Sequence, residues 1–163
     1  TLLVWQVDRA AREVVIVTPY LIPDESLLAA LKTAVMRGVD VRIVISAVVD
    51  QRFVNLAQAS YYDELLSAGV RIHRYRDYLL HAKTIRIDGK LGIVGSSNVD
   101  IRSFQLNEEV SLLLLDPPNI ARLAQIQHAY LDASDELLLE DWRQRSMARR
   151  LGENLARLVS PLL

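Results

Sequence analysis

The residues best suited to chemistry in this chain are His81-Ala82-Lys83 and, past a turn, Gly95-Ser96-Ser97-Asn98. On a strand, residues two apart share a face, so His81 and Lys83 are expected to project side by side. An imidazole that titrates near neutrality beside a fixed ammonium suits an anionic phosphorus centre. Lys83 would hold the phosphoryl oxygens while His81 attacks or moves a proton. Gly95 would let the backbone come close to the anion, and Ser96 and Asn98 offer a hydroxyl and an amide to its oxygens. On the pair alone an amphipathic hairpin with a half-exposed histidine and a solvated lysine is the preferred reading, so the elements around it carry weight.

Those elements read as an α/β domain. The stretch from His81 to Asp88 is a strand, Asp88-Gly89 a tight turn, and Leu91 to Val94 a second strand. Before them, Val14–Thr18, Val39–Ser46 and Val70–Tyr75 are strand-like. They alternate with helices over Thr1–Arg12, from the Asp24 cap to Gly38, and over Phe53–Ala68 up to Gly69. After the hairpin, Val99–Asn107 reads as a loop and Glu109–Leu115 as a buried strand. Asn119 caps a helix to about Ala133, and Leu137–Trp142 bridges to a last helix. The order argues for a mixed sheet with helices on both faces.

Other chemistry-bearing residues have plainer readings. Tyr20 follows a strand exit, where it borders a pocket or simply packs. His73 lies in an alternating strand pattern and is read as structural, and His128 as an exposed polar position. Asp88 heads a turn that Asp-Gly favours on its own. A reacting histidine needs its second nitrogen held, and Glu108 and Glu109 are the available acids. In the last helix Met147, Leu151, Leu155, Leu158 and Leu162 share a face flanked by arginines. Core packing with a solvated basic side is the preferred reading, and a seat on an anionic bilayer the alternative.

Composition narrows the partners. With 163 residues, 51% of them hydrophobic, the chain makes one domain, 1–163, with a real core. A net charge of −1 weighs against nucleic acid as the main partner. The absence of cysteine removes thiol and disulfide chemistry. The apolar runs fall well short of the roughly 20 residues a membrane span needs. No clustered metal-ligand set stands out, so neither metal nor cofactor is expected. Starting at Thr1 without a leader, the chain reads as a piece of a longer protein.

The full spacing of His81-x-Lys83, four residues, Asp88, six residues and Gly95-Ser96 resembles the signature of the phospholipase D superfamily. The segments 18–24, 80–83, 95–104, 106–109 and 153–163 look like the C-terminal half of bacterial cardiolipin synthases. The resemblance implies an α-β-α sandwich and phosphatidyl transfer. In that reaction one phosphatidylglycerol passes its phosphatidyl group through an enzyme histidine to a second one, giving cardiolipin and glycerol. It implies His81 and Lys83 as reacting residues, Asp88 as a support, and phosphate contacts from Lys83, Ser96 and Asn98. It selects Glu109 over Glu108 as the acid that orients the histidine, with Asp100 and Arg102 bracing the loop. The expected partners are an anionic phospholipid, a membrane surface, and an N-terminal half with a second His-x-Lys or an identical subunit. The full-length protein would sit at a bacterial cell membrane, with this piece soluble or peripheral. A hydrolytic phosphodiesterase or nuclease, and an inert isolated half, are the other readings.

Overall fold

The computed structural model describes residues 1–48, 50–100, 103 and 108–159. Its centre is a seven-stranded sheet in the order β8-β6-β5-β1-β3-β4-β9. The parallel heart is β1 (Glu13–Val17), β3 (Asp40–Ser46) and β4 (Arg71–Tyr75). β1 and β3 are valine- and isoleucine-rich runs, as expected where a sheet is covered on both sides, whereas β4 is Arg-Ile-His-Arg-Tyr. The hairpin of β5 (Thr84–Ile87) and β6 (Leu91–Gly95) runs antiparallel along β1, and β8 (Ser111–Leu114) closes that edge.

The connections α2 (Glu25–Met36) and α3 (Arg52–Ser67) link the parallel strands, and α1 (Leu2–Arg9) packs on α2. The Asp24 carboxylate caps α2 by accepting from the Leu27 amide at 2.8 Å, and Gly38 and Gly69 turn the chain out of α2 and α3 at positive φ. Val14, Ile16, Ile43, Ile45 and Ile72 point into the main core with Leu27, Leu31 and Leu65. On the other side α4 (Pro117–Asp132) lies over β4, β5 and β6. There a smaller cluster of Val17, Val44, Tyr75 and Leu80 is buried. The expected mixed sheet with helices on both faces is therefore present.

Several local expectations change. His81 and Lys83 precede β5 instead of lying in it. A two-stranded parallel sheet of β2 (Leu21–Ile22) and β7 (Val99–Asp100) occupies part of the stretch read as a loop. Apart from Ser103, the rest of that stretch, with Arg102, Leu106 and Asn107, lies outside the described residues, as does Leu162. Asp116 caps α4 in place of Asn119, accepting from the Asn119 amide at 3.1 Å. A polar strand, β9 (Ser134–Leu137), pairs with β4, and a short helix, α5 (Leu139–Arg143), leads to α6 (Met147–Val159). Two faces read as core are outside: β8 is a largely exposed edge strand, and the apolar stripe of α6 faces solvent.

Asp88 explains how the hairpin is fixed. It sits at φ 54°, a left-handed turn conformation that aspartate tolerates. Its carboxylate accepts from the amides of Ala11 (2.9 Å), Arg12 (2.7 Å) and Glu13 (3.0 Å). Partial burial works against the charged form, but the three amides prevail and hold its pKa below the usual carboxylate value. A depressed folded pKa adds stability above the unfolded pKa, and that stability is lost as pH falls through the folded value. Asp88→Asn should therefore cost about 1 kcal/mol at neutral pH, after discounting for exposure. The gap from wild type should close in acid, as thermal melts from pH 7 downwards would record.

Candidate active site

The chain leading to the site is pinned by a buried plug. Leu80 is fully buried beside Val17, Val44 and Tyr75, and its amide donates to Ser46 Oγ at 3.1 Å. This anchor delivers His81, which is exposed, and Lys83, which is half-buried, to the end where β1 exits. The expected adjacency holds without a strand beneath it. Lys83 Nζ lies 3.2 Å from His81 Nδ1 and donates to the His81 carbonyl at 3.1 Å. Desolvation lowers the Lys83 pKa, while the negative charges of Glu109 and Asp100 pull it back up. The ammonium is thus held between the cost of burial and the pull of two carboxylates.

Lys83 also lines a cavity of about 270 Å³ with Ser97, Asn98, Ser103, Glu109 and Ser111. Its apolar wall includes Leu3, Val17, Ile85, Ile93 and Leu113. Asn98 Oδ1 and Ser103 Oγ are buried without a hydrogen-bond partner among the described residues. Buried polar atoms left unpaired are costly, and here they face a space a polar group can enter. Asn98 shares this cavity with Lys83. Ser103 was quoted only as part of a motif, and the signal that it matters is its burial.

Gly95 and Ser96 do different work from that expected. A Cβ at Gly95 would come within 2.6 Å of the Val110 carbonyl oxygen, so glycine is needed for the close approach of the chain entering β8. The Ser96 hydroxyl donates to the Glu109 carboxylate and accepts from the Val110 amide at 3.1 Å. Glu109 is thereby fixed at the cavity beside Lys83, while Glu108 is an exposed neighbour. Asp88, grouped with the site by its motif, stands at the opposite end of β5 from His81 and supports the hairpin.

Other candidates resolve as follows. Tyr20 donates to Asp50 Oδ2 at 2.6 Å and accepts from Gln51 Nε2 at 3.1 Å; burial and the Asp50 carboxylate push its pKa up to about 12. It borders a narrow crevice at the exits of β1 and β3. His73 is buried in β4, and burial lowers its pKa, in keeping with a structural role. His128 is exposed on α4.

The histidine–lysine pair stands at a strand end of this mixed sheet, and the topology is shared with proteins of the phospholipase D fold. Among solved structures, the phospholipase D family member Nuc from Salmonella typhimurium aligns with a TM-score of 0.72 at 20% identity, covering 84% of this chain and 89% of that one. The phosphatidylserine synthase of Haemophilus influenzae aligns with a TM-score of 0.75 at 16% identity, covering 97% of this chain and 43% of that one. The family described as "Cardiolipin synthase, PLD-like domain" matches residues 3–131, and the chain belongs to it. Cardiolipin synthase 2 of Bacillus anthracis is 42% identical over 154 residues, 94% of this chain and 30% of the relative. Cardiolipin synthase A of Proteus mirabilis is 38% identical over 161 residues, 99% of this chain and 33% of the relative. The chain spans about a third of the length of the curated relatives it matches.

The electrostatics of the cluster can be checked directly. Because the Glu109 charge raises the Lys83 pKa, Glu109→Gln should let desolvation dominate and lower it further. A carbon-13 titration of the lysine side chains should show one resonance moving to lower pH in the variant. An unmoved Lys83 titration would mean that the two charges do not communicate.

Proposed function

We propose that this chain is one lobe of a phosphatidyltransferase that makes cardiolipin from two molecules of phosphatidylglycerol. The observation that carries the reading is the His81–Lys83 contact beside a partly apolar cavity, in a chain of the cardiolipin synthase family. The chemistry runs in two displacements. A histidine nitrogen attacks phosphorus, the P–N bond forms, and the P–O bond to glycerol breaks as a second histidine protonates the departing alkoxide. The primary hydroxyl of a second phosphatidylglycerol then gives its proton to that second histidine and attacks phosphorus. The new P–O bond forms and the P–N bond breaks, restoring both histidines.

In this scheme His81 is one of the two histidines and Lys83 holds the equatorial phosphoryl oxygens. The Asn98 amide turns its nitrogen or oxygen to the headgroup, and Glu109 orients the His81 ring. Ser96 acts through Glu109 by fixing its carboxylate. The apolar wall of the cavity suits the glyceride portion of a lipid better than a sugar-phosphate chain. The second histidine comes from outside this set, since neither His73 nor His128 has a lysine two residues on. A second lobe also accounts for the edge beside the site, where Val110, Leu112, Leu113 and Leu115 are exposed on or next to β8. It is supplied by the rest of a longer protein or by an identical subunit. A bacterial cell membrane is the corresponding location. No described helix is long and apolar enough to cross one.

In the protein that joins this chain to its second lobe, His81→Ala should lower turnover of phosphatidylglycerol at least 10³-fold, with an unchanged melt because His81 is exposed. Lys83→Ala should be nearly as severe, and a labelled oligonucleotide should not be cleaved by the wild type. Near-normal rates in either variant would remove the assignment. Because Lys83 supplies the cationic clamp, transfer in detergent-dispersed lipid should also survive treatment with a chelator. A complete loss restored by one particular divalent ion would contradict that clamp.

A further inference from the structure

The last helix is built inside out. Among its described residues, Met147, Leu151, Leu155 and Leu158 fall on one stripe at helical spacing. They remain 70%, 60%, 66% and 80% exposed. The opposite side is the docked one: Glu153 and Ala156 are buried, and α6 packs on α3. Glu153 is held by Arg145 Nε at 2.8 Å and Arg149 Nε at 3.2 Å, and Arg145 stacks over the buried Trp142 at 4.3 Å. The polar anchor therefore fixes the rotation of the helix and aims its leucines outward.

The run 143–159 carries five arginines and one carboxylate, Glu153, which is buried. Arg145 and Arg149 pair with Glu153, Arg143 with Asp63 and Arg157 with Glu64, which leaves Arg150 as the cation beside the stripe. Arg150 is exposed and makes no ion pair among the described residues, and Arg149 keeps half of its side chain in solvent. An apolar stripe bordered by cations is the pattern that lies in the headgroup region of an anionic membrane. At 13 residues the helix is too short to cross one. The second lobe has its own candidate face at β8, the far end of the sheet from β4, roughly 25 Å away along the strand order.

We infer that α6 is an interfacial helix, seating Met147, Leu151, Leu155 and Leu158 in an anionic phospholipid bilayer with Arg150 at the headgroups. The inference names the surface by which the proposed lipid enzyme meets its substrate's bilayer and in that respect rests on the reading above. Its test is binding, which is independent of turnover.

The 163-residue chain is floated with vesicles of phosphatidylcholine alone and of phosphatidylcholine containing roughly one-third phosphatidylglycerol. Binding is expected on the anionic vesicles and should weaken with added salt. Leu151→Glu combined with Leu155→Glu should reduce it at least tenfold with an unchanged circular dichroism spectrum, since both side chains are exposed. Arg150→Gln should cost about five-fold on anionic vesicles only. Leu155→Trp should bind and shift its emission to the blue. Unaltered binding by the double glutamate variant, or an unshifted Leu155→Trp, would overturn the inference. So would a change in sedimentation of the free double variant with vesicle binding intact, which would make the stripe a protein interface. Vesicle binding with these sensitivities, together with no phosphatidyl transfer by the protein that joins this chain to its second lobe, would leave this inference standing and defeat the functional reading alone.

Discussion

The site depends on the register in which β5 runs antiparallel to β1. In that register Val17 faces Thr84 and Val14 faces Ile87, which leaves Lys83 just beyond the end of β1. Side chains alternate along a strand, so a slip of one residue would exchange the two faces of β5. Two polar contacts forbid it. Asp88 locks the turn end onto three amides of residues 11–13. In mid-strand, Arg86 is buried between the Glu13 carboxylate and Gln127 Oε1 at 3.1 Å. A buried guanidinium is tolerated only with its partners in place, so a shifted pairing would strand a charge.

That same network joins the second layer to the site. Gln127, fully buried on α4, donates to Thr84 Oγ1 at 3.0 Å while accepting from Arg86. Glu13 also receives Arg42 at 3.1 Å, which ties β1 to β3 on the same face. The helix, the hairpin and the parallel strands are thus coupled through one set of polar groups within a mostly apolar sheet. A network of this kind contributes specificity of pairing more surely than net stability. Here the specificity is what brings Lys83 and His81 to the cavity that holds Asn98 and Glu109.

Much of this was legible because the relevant signals are local. Valine and isoleucine runs, the Asp24 cap, the glycine stops and the Asp-Gly turn each act within a few residues, and the motif spacing put Lys83 beside His81. The missed features are those that local pattern does not encode. β2 and β7 are two residues each, and β9 is Ser-Asp-Glu-Leu, a run of low strand propensity held by pairing with β4 through contacts such as Arg71 with Glu136 at 2.9 Å. In the sequence Gly95 reads as room for the backbone to approach an anion and Ser96 as a hydroxyl for its oxygens. The contacts they make with residues 109–111 at the entrance to β8 are distant in sequence and not encoded in that local pattern.

The two misplaced apolar faces share a cause. Hydrophobic periodicity reports which residues lie on one side of an element, and says nothing about which side meets the core. For β1 the distinction is moot, because both of its faces are covered, and in α2 the leucine stripe does meet the core. For β8 and α6, at the margins of the fold, polar contacts decide it. The run Val110–Leu115 reads as buried until the order of the sheet makes it an edge. In α6 Glu153 takes the inner side, where Arg145 and Arg149 compensate its buried charge, and the leucines are left outside. The exposed apolar faces thus fall on a marginal strand beside the cavity that Lys83 lines and on a marginal helix packed against α3.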